Sequence, residues 1–182
     1  MKTGIQKRGV HALLNIDNSD DLDIKGVVKE RFIRLRISTF AEFKKRLETL
    51  FGKDAAATIL FEAGRACGKR SALRVSSGSK KDVNSILEQI RKIKRDEKWC
   101  KVDFNRFDIE RGAGVVIMKD SFEGLGYSNP GEPVCHFLRG YFSGVLSYLC
   151  KADIVLIEVK CIAKGDPYCE LRDFLSSRFP LT

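Results

Sequence analysis

Between Val134 and Leu171 the chain places Cys135 just ahead of a helix-like run through Cys150. An apolar strand follows and closes on Glu158-Val159-Lys160-Cys161, then a Gly165-Asp166 turn and Cys169. No other stretch limits the fold as tightly, because three thiols and one carboxylate gather around a single predicted hairpin. With Gly165 at the centre of the turn, Cys161 and Cys169 stand opposite each other and point to one face, their Cβ atoms about 4.5–5.5 Å apart. Two thiolates there can hold one zinc ion through bonds of about 2.3 Å. Cys135, at the start of the packed helix, is a candidate third ligand, and Glu158 is the candidate fourth. Glu158 carries a parity problem. It lies three residues before Cys161, so in a regular strand the two side chains face opposite ways. Both reach one metal only if a bulge or sharp twist sits near Lys160; otherwise water or a residue such as His136 completes the shell. A cross-strand disulfide and ordinary buried thiols are the competing readings of the cysteine pair.

The rest of the chain sets the context. At 182 residues, 43% hydrophobic and 31% charged, it suits one soluble domain with a real core. Residues 1–27, with the acidic stretch Asn18 to Asp23, read as an N-terminal arm, and residues 28–182 as the domain. No apolar run of about 18 residues predicts a membrane span. The opening Met1-Lys2-Thr3-Gly4-Ile5-Gln6-Lys7-Arg8 lacks the apolar core of a secretory signal. The expected location is therefore the cytoplasm, where the six cysteines are free, metal-bound or reactive before they are disulfides. The formal net charge of +9 is dispersed over helix faces, which favours a solvated basic surface over a nucleic-acid partner.

Periodicity then orders the elements. Arg31 to Ile37 reads as a half-buried strand, with Ile33, Leu35 and Ile37 on one face. Ser38 or Thr39 caps a helix with Phe40, Phe43, Leu47 and Leu50 as its stripe and Gly52 at its end. A second helix from Lys53 to about Leu73 carries Ala56, Ile59, Leu60, Ala63 and Cys67 on one face, Cys67 being read as a small core residue. Gly64 and Gly68 lie one turn apart in it. Each costs about 1 kcal/mol against Ala in a helix, which points to close packing or a ligand surface. Ser79 or Asp82 caps a third helix with Val83, Ile86, Leu87, Ile90 and Ile93 inside. Arg91, Lys92, Lys94, Arg95 and Lys98 crowd its C-terminal end, where cations are favourable. Trp99 to Asp108 and Val115 to Asp120 read as a hairpin, Ser121 to Glu132 as a long loop, and Pro133 as the start of the last helix. Gly140 and Gly144 repeat the glycine spacing there. Strands from Ile154 to Val159 and from Tyr168 to Leu171 close the chain.

These residues resemble the 4-vinyl reductase domain family. The resemblance rests on Cys135-His136-Phe137-Leu138-Arg139-Gly140-Tyr141-Phe142-Ser143-Gly144, Glu158-Val159-Lys160-Cys161, Gly165-Asp166 and Cys169, and is specific over roughly residues 115–172. Members with this pattern, including sensory domains of aromatic-responsive bacterial regulators, bind zinc through the corresponding residues. The resemblance thus implies Cys135, Glu158, Cys161 and Cys169 as the metal set and brings Glu158 back despite its parity. It also implies an α+β fold similar to vesicle-tethering TRAPP subunits, with a small antiparallel β-sheet packed against several α-helices, a zinc-stapled C-terminal hairpin and a homodimeric assembly.

The first functional reading is a non-catalytic module that binds a small hydrophobic or aromatic ligand, with structural zinc. Four protein ligands leave no open position for a water. Trp99, Phe104, Phe137 and Tyr141 are the candidate pocket residues, and ordinary core is their other reading. Two alternatives stand beside it: an enzyme or enzyme subunit acting on a tetrapyrrole or aromatic substrate, and a TRAPP-like interaction adaptor. No catalytic residues are assigned. His11 and His136 are the only histidines, no Ser/His/Asp or Cys/His set stands out, and Gly112-Ala113-Gly114 precedes a strand and so fails the dinucleotide pattern.

Overall fold

Two helices cross so closely that their backbones touch, and this contact organises the domain. They are α2 (Lys53–Ser76) and α5 (His136–Cys150). Both glycine pairs read from the sequence lie at the crossing. A Cβ on Gly64 would sit 2.1 Å from the Phe137 carbonyl oxygen, and one on Gly68 would sit 1.9 Å from that of Tyr141. From the other side, a Cβ on Gly140 would sit 2.0 Å from the Phe61 carbonyl oxygen and one on Gly144 2.1 Å from that of Arg65. Four missing side chains let the two backbones interlock. What the glycines cost in helix propensity is offset by main-chain contact that no larger residue permits.

The computed structural model describes residues 33–77, 82–127 and 131–174. The chain divides into two compact units, Met1–Arg34 and Leu35–Thr182, and the second holds every element described below. The arm expected over residues 1–27 lies outside the described residues. Helix α1 (Ile37–Phe51) precedes α2, and α3 (Val83–Asp96) follows it. Next come β1 (Lys101–Asp108), β2 (Ala113–Lys119), the short α4 (Phe122–Gly126), α5, β3 (Leu156–Lys160) and β4 (Cys169–Asp173). The four strands form an antiparallel sheet in the order β1-β2-β4-β3. The expected α+β fold is present, with the C-terminal hairpin in the sheet. Val102, Phe104, Val116, Met118, Leu156 and Leu171 bury against Leu138, Phe142, Val145 and Leu146 of α5.

Several expectations are corrected. Residues 33–36 are not a strand: Ile33 and Leu35 are exposed, and Ile37 already begins α1. Partial alternation alone does not make a strand where no neighbour pairs with it. Neither Ser38 nor Thr39 caps α1; its N-cap is Arg36, without a side-chain bond. Asp82 does cap α3, accepting from the Ser85 amide. Cys67, Ile59 and Ala63 face solvent, because the buried stripe of α2 follows its glycines through Leu60, Phe61, Gly64, Gly68, Ala72 and Val75. The loop expected from Ser121 holds α4, and Pro133 precedes α5 without entering it. The paired strands begin at Lys101 and Leu156, inside the expected starts at Trp99 and Ile154.

Candidate metal centre and aromatic cluster

The C-terminal hairpin places its ligands through a register shift. Leu156, Ile157 and Glu158 pair with Asp173, Arg172 and Leu171, whereas Lys160 pairs with Glu170. One extra residue is thus accommodated between Glu158 and Lys160, where strand parity required it. The shift turns Glu158 inward and sets Cys161 level with Cys169. A single 3-10 turn (Ile162–Lys164) follows, closed by Gly165 at φ 98°. The Asp166 carboxylate accepts from the Cys161 amide at 2.8 Å and locks that turn.

The structure gathers Cys135, Glu158, Cys161 and Cys169 with their ligand atoms all within 4.8 Å of one another, and every one of the four is buried. The sulfur separations are 3.6 Å for Cys135–Cys169, 3.9 Å for Cys135–Cys161 and 3.9 Å for Cys161–Cys169. A tetrahedral zinc ion with bonds of about 2.3 Å sets its sulfurs about 3.8 Å apart, so the triangle already has the size that zinc requires. One Glu158 oxygen, Oε2, accepts from the Cys135 amide at 2.9 Å. The other, Oε1, is buried without a hydrogen-bond partner, as expected of an oxygen whose partner is a cation. This set can hold a metal ion, and three thiolates with one carboxylate suit zinc. His136 is not part of the cluster, and burial lowers its pKa to about 4, aided by Lys44 and Arg139. Hydrogen bonding with its two neighbours drives the Cys161 thiol toward the thiolate and the Cys135 thiol away from it.

Supporting groups surround the cluster that sequence reasoning did not single out. Ser121 Oγ lies 3.1 Å from the Cys135 sulfur, and the Ile162 amide points at the Cys169 sulfur from 3.4 Å. Lys44 of α1, 1% exposed, donates to the Val134 carbonyl at 2.5 Å, directly before the first cysteine. Glu123 of α4 accepts from the Phe137 and Leu138 amides at 3.2 and 2.7 Å, capping α5 from another element. Only the Gly165-Asp166 turn signalled its role in advance. Lys44 and Glu123 look like surface charges until the chain folds.

Burial raises the Glu123 carboxyl to about 7, against the opposing pull of Lys44 and the two amides. Between about pH 4.5 and 7 the folded state therefore holds a proton that the unfolded state releases. The sign follows: stability falls as pH rises through that window, by up to about 3 kcal/mol for a shift of this size. Glu123→Gln cannot ionise, so its stability should change less between pH 5 and 7.5 than that of the wild type. Urea denaturation of both metal-loaded proteins at the two pH values checks this, and equal slopes would refute it.

A second cluster begins one turn beyond Cys135. Trp99 packs edge to face on Phe122, Phe137 and Tyr141 with ring centres 5.8, 5.7 and 5.6 Å away. Phe40 of α1 closes the group against Phe122 at 4.8 Å and Phe137 at 6.1 Å. Of the four candidate pocket residues, Trp99, Phe137 and Tyr141 thus meet directly. Phe104 stands one ring away, on Phe142, which touches Tyr141. Phe40 and Phe122 were not anticipated, although Phe40 lay on the apolar stripe of α1.

Residues 115–172, from β2 through the hairpin, match the family model of the 4-vinyl reductase domain. Over these residues the chain is similar to that domain. It is also similar to the phenol-responsive sensory domain of the transcription activator PoxR, whose crystal structure is with phenol. That likeness has a TM-score of 0.67 and 26% identity and covers 79% of this chain and 76% of the other. A vinyl-4-reductase family protein from Methanocaldococcus jannaschii shares the fold at a TM-score of 0.55 and 18% identity, over 79% of this chain and 83% of that one. Two further relatives come from the same organism. The uncharacterized protein MJ0150 is 27% identical over 112 residues, 62% of this chain and 61% of the relative. The uncharacterized protein MJ0855 is 32% identical over 74 residues, 39% of this chain and 32% of the relative. The chain therefore spans less than two thirds of the length of these curated relatives. Among the described residues no helix is long and apolar enough to cross a membrane.

Proposed function

We propose that this 4-vinyl reductase domain is a non-catalytic sensory module for a small aromatic or otherwise hydrophobic ligand, with zinc as a structural staple. The observation that carries the reading is the shared helix. The first turns of α5 supply Cys135 to the metal cluster and Phe137 and Tyr141 to the aromatic cluster. A change in the rings is thereby linked to the hairpin. The likeness to a phenol-responsive sensory domain supports an aromatic ligand. Zinc would be held by Cys135, Glu158, Cys161 and Cys169, and would supply positive charge that neutralises buried thiolates and pins the hairpin to α5. The ligand would sit among Trp99, Phe137 and Tyr141, with Phe104 behind them.

A homodimer in a reducing cytoplasm completes the proposal. On α1 the exposed side chains include Phe43, Leu50 and Phe51, and Ile59 is exposed on α2. Apolar groups left on one helix pair suit a second copy as cover. Native mass spectrometry with phenol added tests all three parts. The expected spectrum is a two-chain species with one zinc per chain and a further mass of one phenol per chain. A metal-free chain would refute the staple, a monomer would refute the dimer, and no small-molecule mass at saturating phenol would refute the sensory reading.

A further inference from the structure

The candidate ligands carry more negative charge than one zinc ion offsets. Three thiolates and one carboxylate around a divalent cation leave two negative charges over, and all four ligands are buried. Buried charge without a counter-charge is costly. Two cations flank the cluster along α5. Lys44 of α1 comes in ahead of Cys135 and donates to the Val134 carbonyl at 2.5 Å. Arg139 stands one turn beyond Cys135, half-buried, with its amide on the Cys135 carbonyl at 2.8 Å. Its guanidinium donates to the Leu156 carbonyl at 3.3 Å, two residues before Glu158. What both cations touch is neutral. Besides the carbonyls, the Lys44 ammonium faces the Tyr127 ring and the Arg139 guanidinium the Phe61 ring, each at 4.6 Å. Such contacts hold a cation in place without cancelling its charge.

We propose that Lys44 and Arg139 are the counter-charges of the metal centre: they balance the two negative charges that zinc leaves on its ligands, and so set how tightly the metal is held. The inference rests on the proposed zinc staple. Neither residue would touch the metal; both act through their field on the ligands. Glu158 favours the charged form of Arg139 across the contact between α5 and β3. The other charged groups of the hairpin pair among themselves. Lys164 meets Asp166 at 3.9 Å, and Lys160 and Arg172 meet Glu170 at 3.2 and 2.7 Å. His136 supplies no charge at pH 7, since burial lowers its pKa to about 4. Glu123 is the competing partner, because it faces both cations. Burial raises its carboxyl to about 7, so near neutral pH it offers only part of one charge against two.

The test is zinc affinity of the full chain at pH 7, read by competition with a chromophoric chelator. Wild type is compared with Lys44→Met, Arg139→Gln and Arg139→Lys. Lys44→Met is also placed in Glu158→Gln and Glu123→Gln backgrounds. Wild type should take up one zinc ion per chain. Lys44→Met and Arg139→Gln should each weaken zinc about tenfold or more, the scale found when groups supporting metal ligands are removed. Arg139→Lys keeps the charge and should stay closer to wild type than Arg139→Gln. With Glu158→Gln the ligands carry one charge less, so the loss at Lys44 should shrink to about threefold or less. A merely structural role would give the same loss in both backgrounds. Unchanged affinity in Lys44→Met and Arg139→Gln, an Arg139→Lys protein as weak as Arg139→Gln, or an equal Lys44 loss with and without the Glu158 charge would overturn the counter-charge and leave the staple. So would a Lys44 loss that vanishes beside Glu123→Gln, since Glu123 would then be its partner. A wild type that takes up no zinc would overturn both. The two Arg139 variants carry the test if Lys44→Met does not fold.

Discussion

Cys161→Ser protein should be recovered without its equivalent of metal and should melt far below the wild type. Cys161 is 0% exposed, and its sulfur lies 3.9 Å from each of the other two. A serine oxygen in its place neither ionises near neutral pH nor reaches as far. The remaining thiols and the Glu158 carboxylate then crowd a buried space with no cation to neutralise them. Loss of a metal belongs to the few single changes that cost on the order of 4–5 kcal/mol. Part of the metal's binding free energy is folding free energy, because the unfolded chain has no preformed site. Chelation of the wild type should reproduce most of the loss, and zinc should rescue the wild type but not the variant. The checks are metal content by mass spectrometry and thermal melting with and without chelator. A Cys161→Ser protein with full metal content and an unchanged melting temperature would remove the staple from the account.

The second large effect is predicted at Gly68, where helix propensity alone points the wrong way. In an isolated helix Gly68→Ala would be stabilising by about 1 kcal/mol. Here the new methyl would lie 1.9 Å from the Tyr141 carbonyl oxygen, 2.8 Å from its carbonyl carbon and 3.1 Å from its Cα. All three atoms are backbone, so no side chain can rotate away. Helices α2 and α5 must separate, and overpacking of this kind costs about 3 kcal/mol. Because α5 also carries Cys135, the displacement should weaken metal retention as well. Cys67→Ala, one residue earlier on the exposed face, should stay within about 0.5 kcal/mol of wild type. Urea denaturation of the pair decides the matter, and a Gly68→Ala protein as stable as wild type would mean that the backbones are not in contact.

Sequence patterns made a large part of the domain legible, for identifiable reasons. The glycine pairs were readable because an expensive residue repeated at one-turn spacing needs a cause, and close helix packing is a common one. The residues of the candidate metal cluster were readable because thiols that flank a Gly-Asp turn are brought to one face of a hairpin. Even the bulge beside Lys160 could be stated as a requirement, since strand parity is a rigid rule. Reading failed where both answers share one local pattern. Leu60 and Cys67 share one apolar stripe of α2, and only the position of α5 says which edge of that stripe is inside. Ile33, Leu35 and Ile37 alternate as a strand would, yet among the described residues no strand pairs with them. Lys94 read as one of the cations favourable at a helix end and Lys44 drew no reading at all, yet they are 2% and 1% exposed.

What the amino-acid sequence determined by itself is the local part. It set the main helices and strands, the residues able to ligate a metal, and the two helices able to approach closely. These follow from spacing, turn chemistry and side-chain size, which act over a few residues. The tertiary structure alone decided which polar groups are removed from water. It brought Glu123 onto the first turn of α5, Lys44 onto the Val134 carbonyl, and Lys94 between Trp99 and Tyr141. Burial is a property of the assembled fold, and it changes what a charged side chain can do. For that reason the residues of the candidate metal cluster were visible in the chain, while the buried lysine against the aromatic cluster appears only in three dimensions.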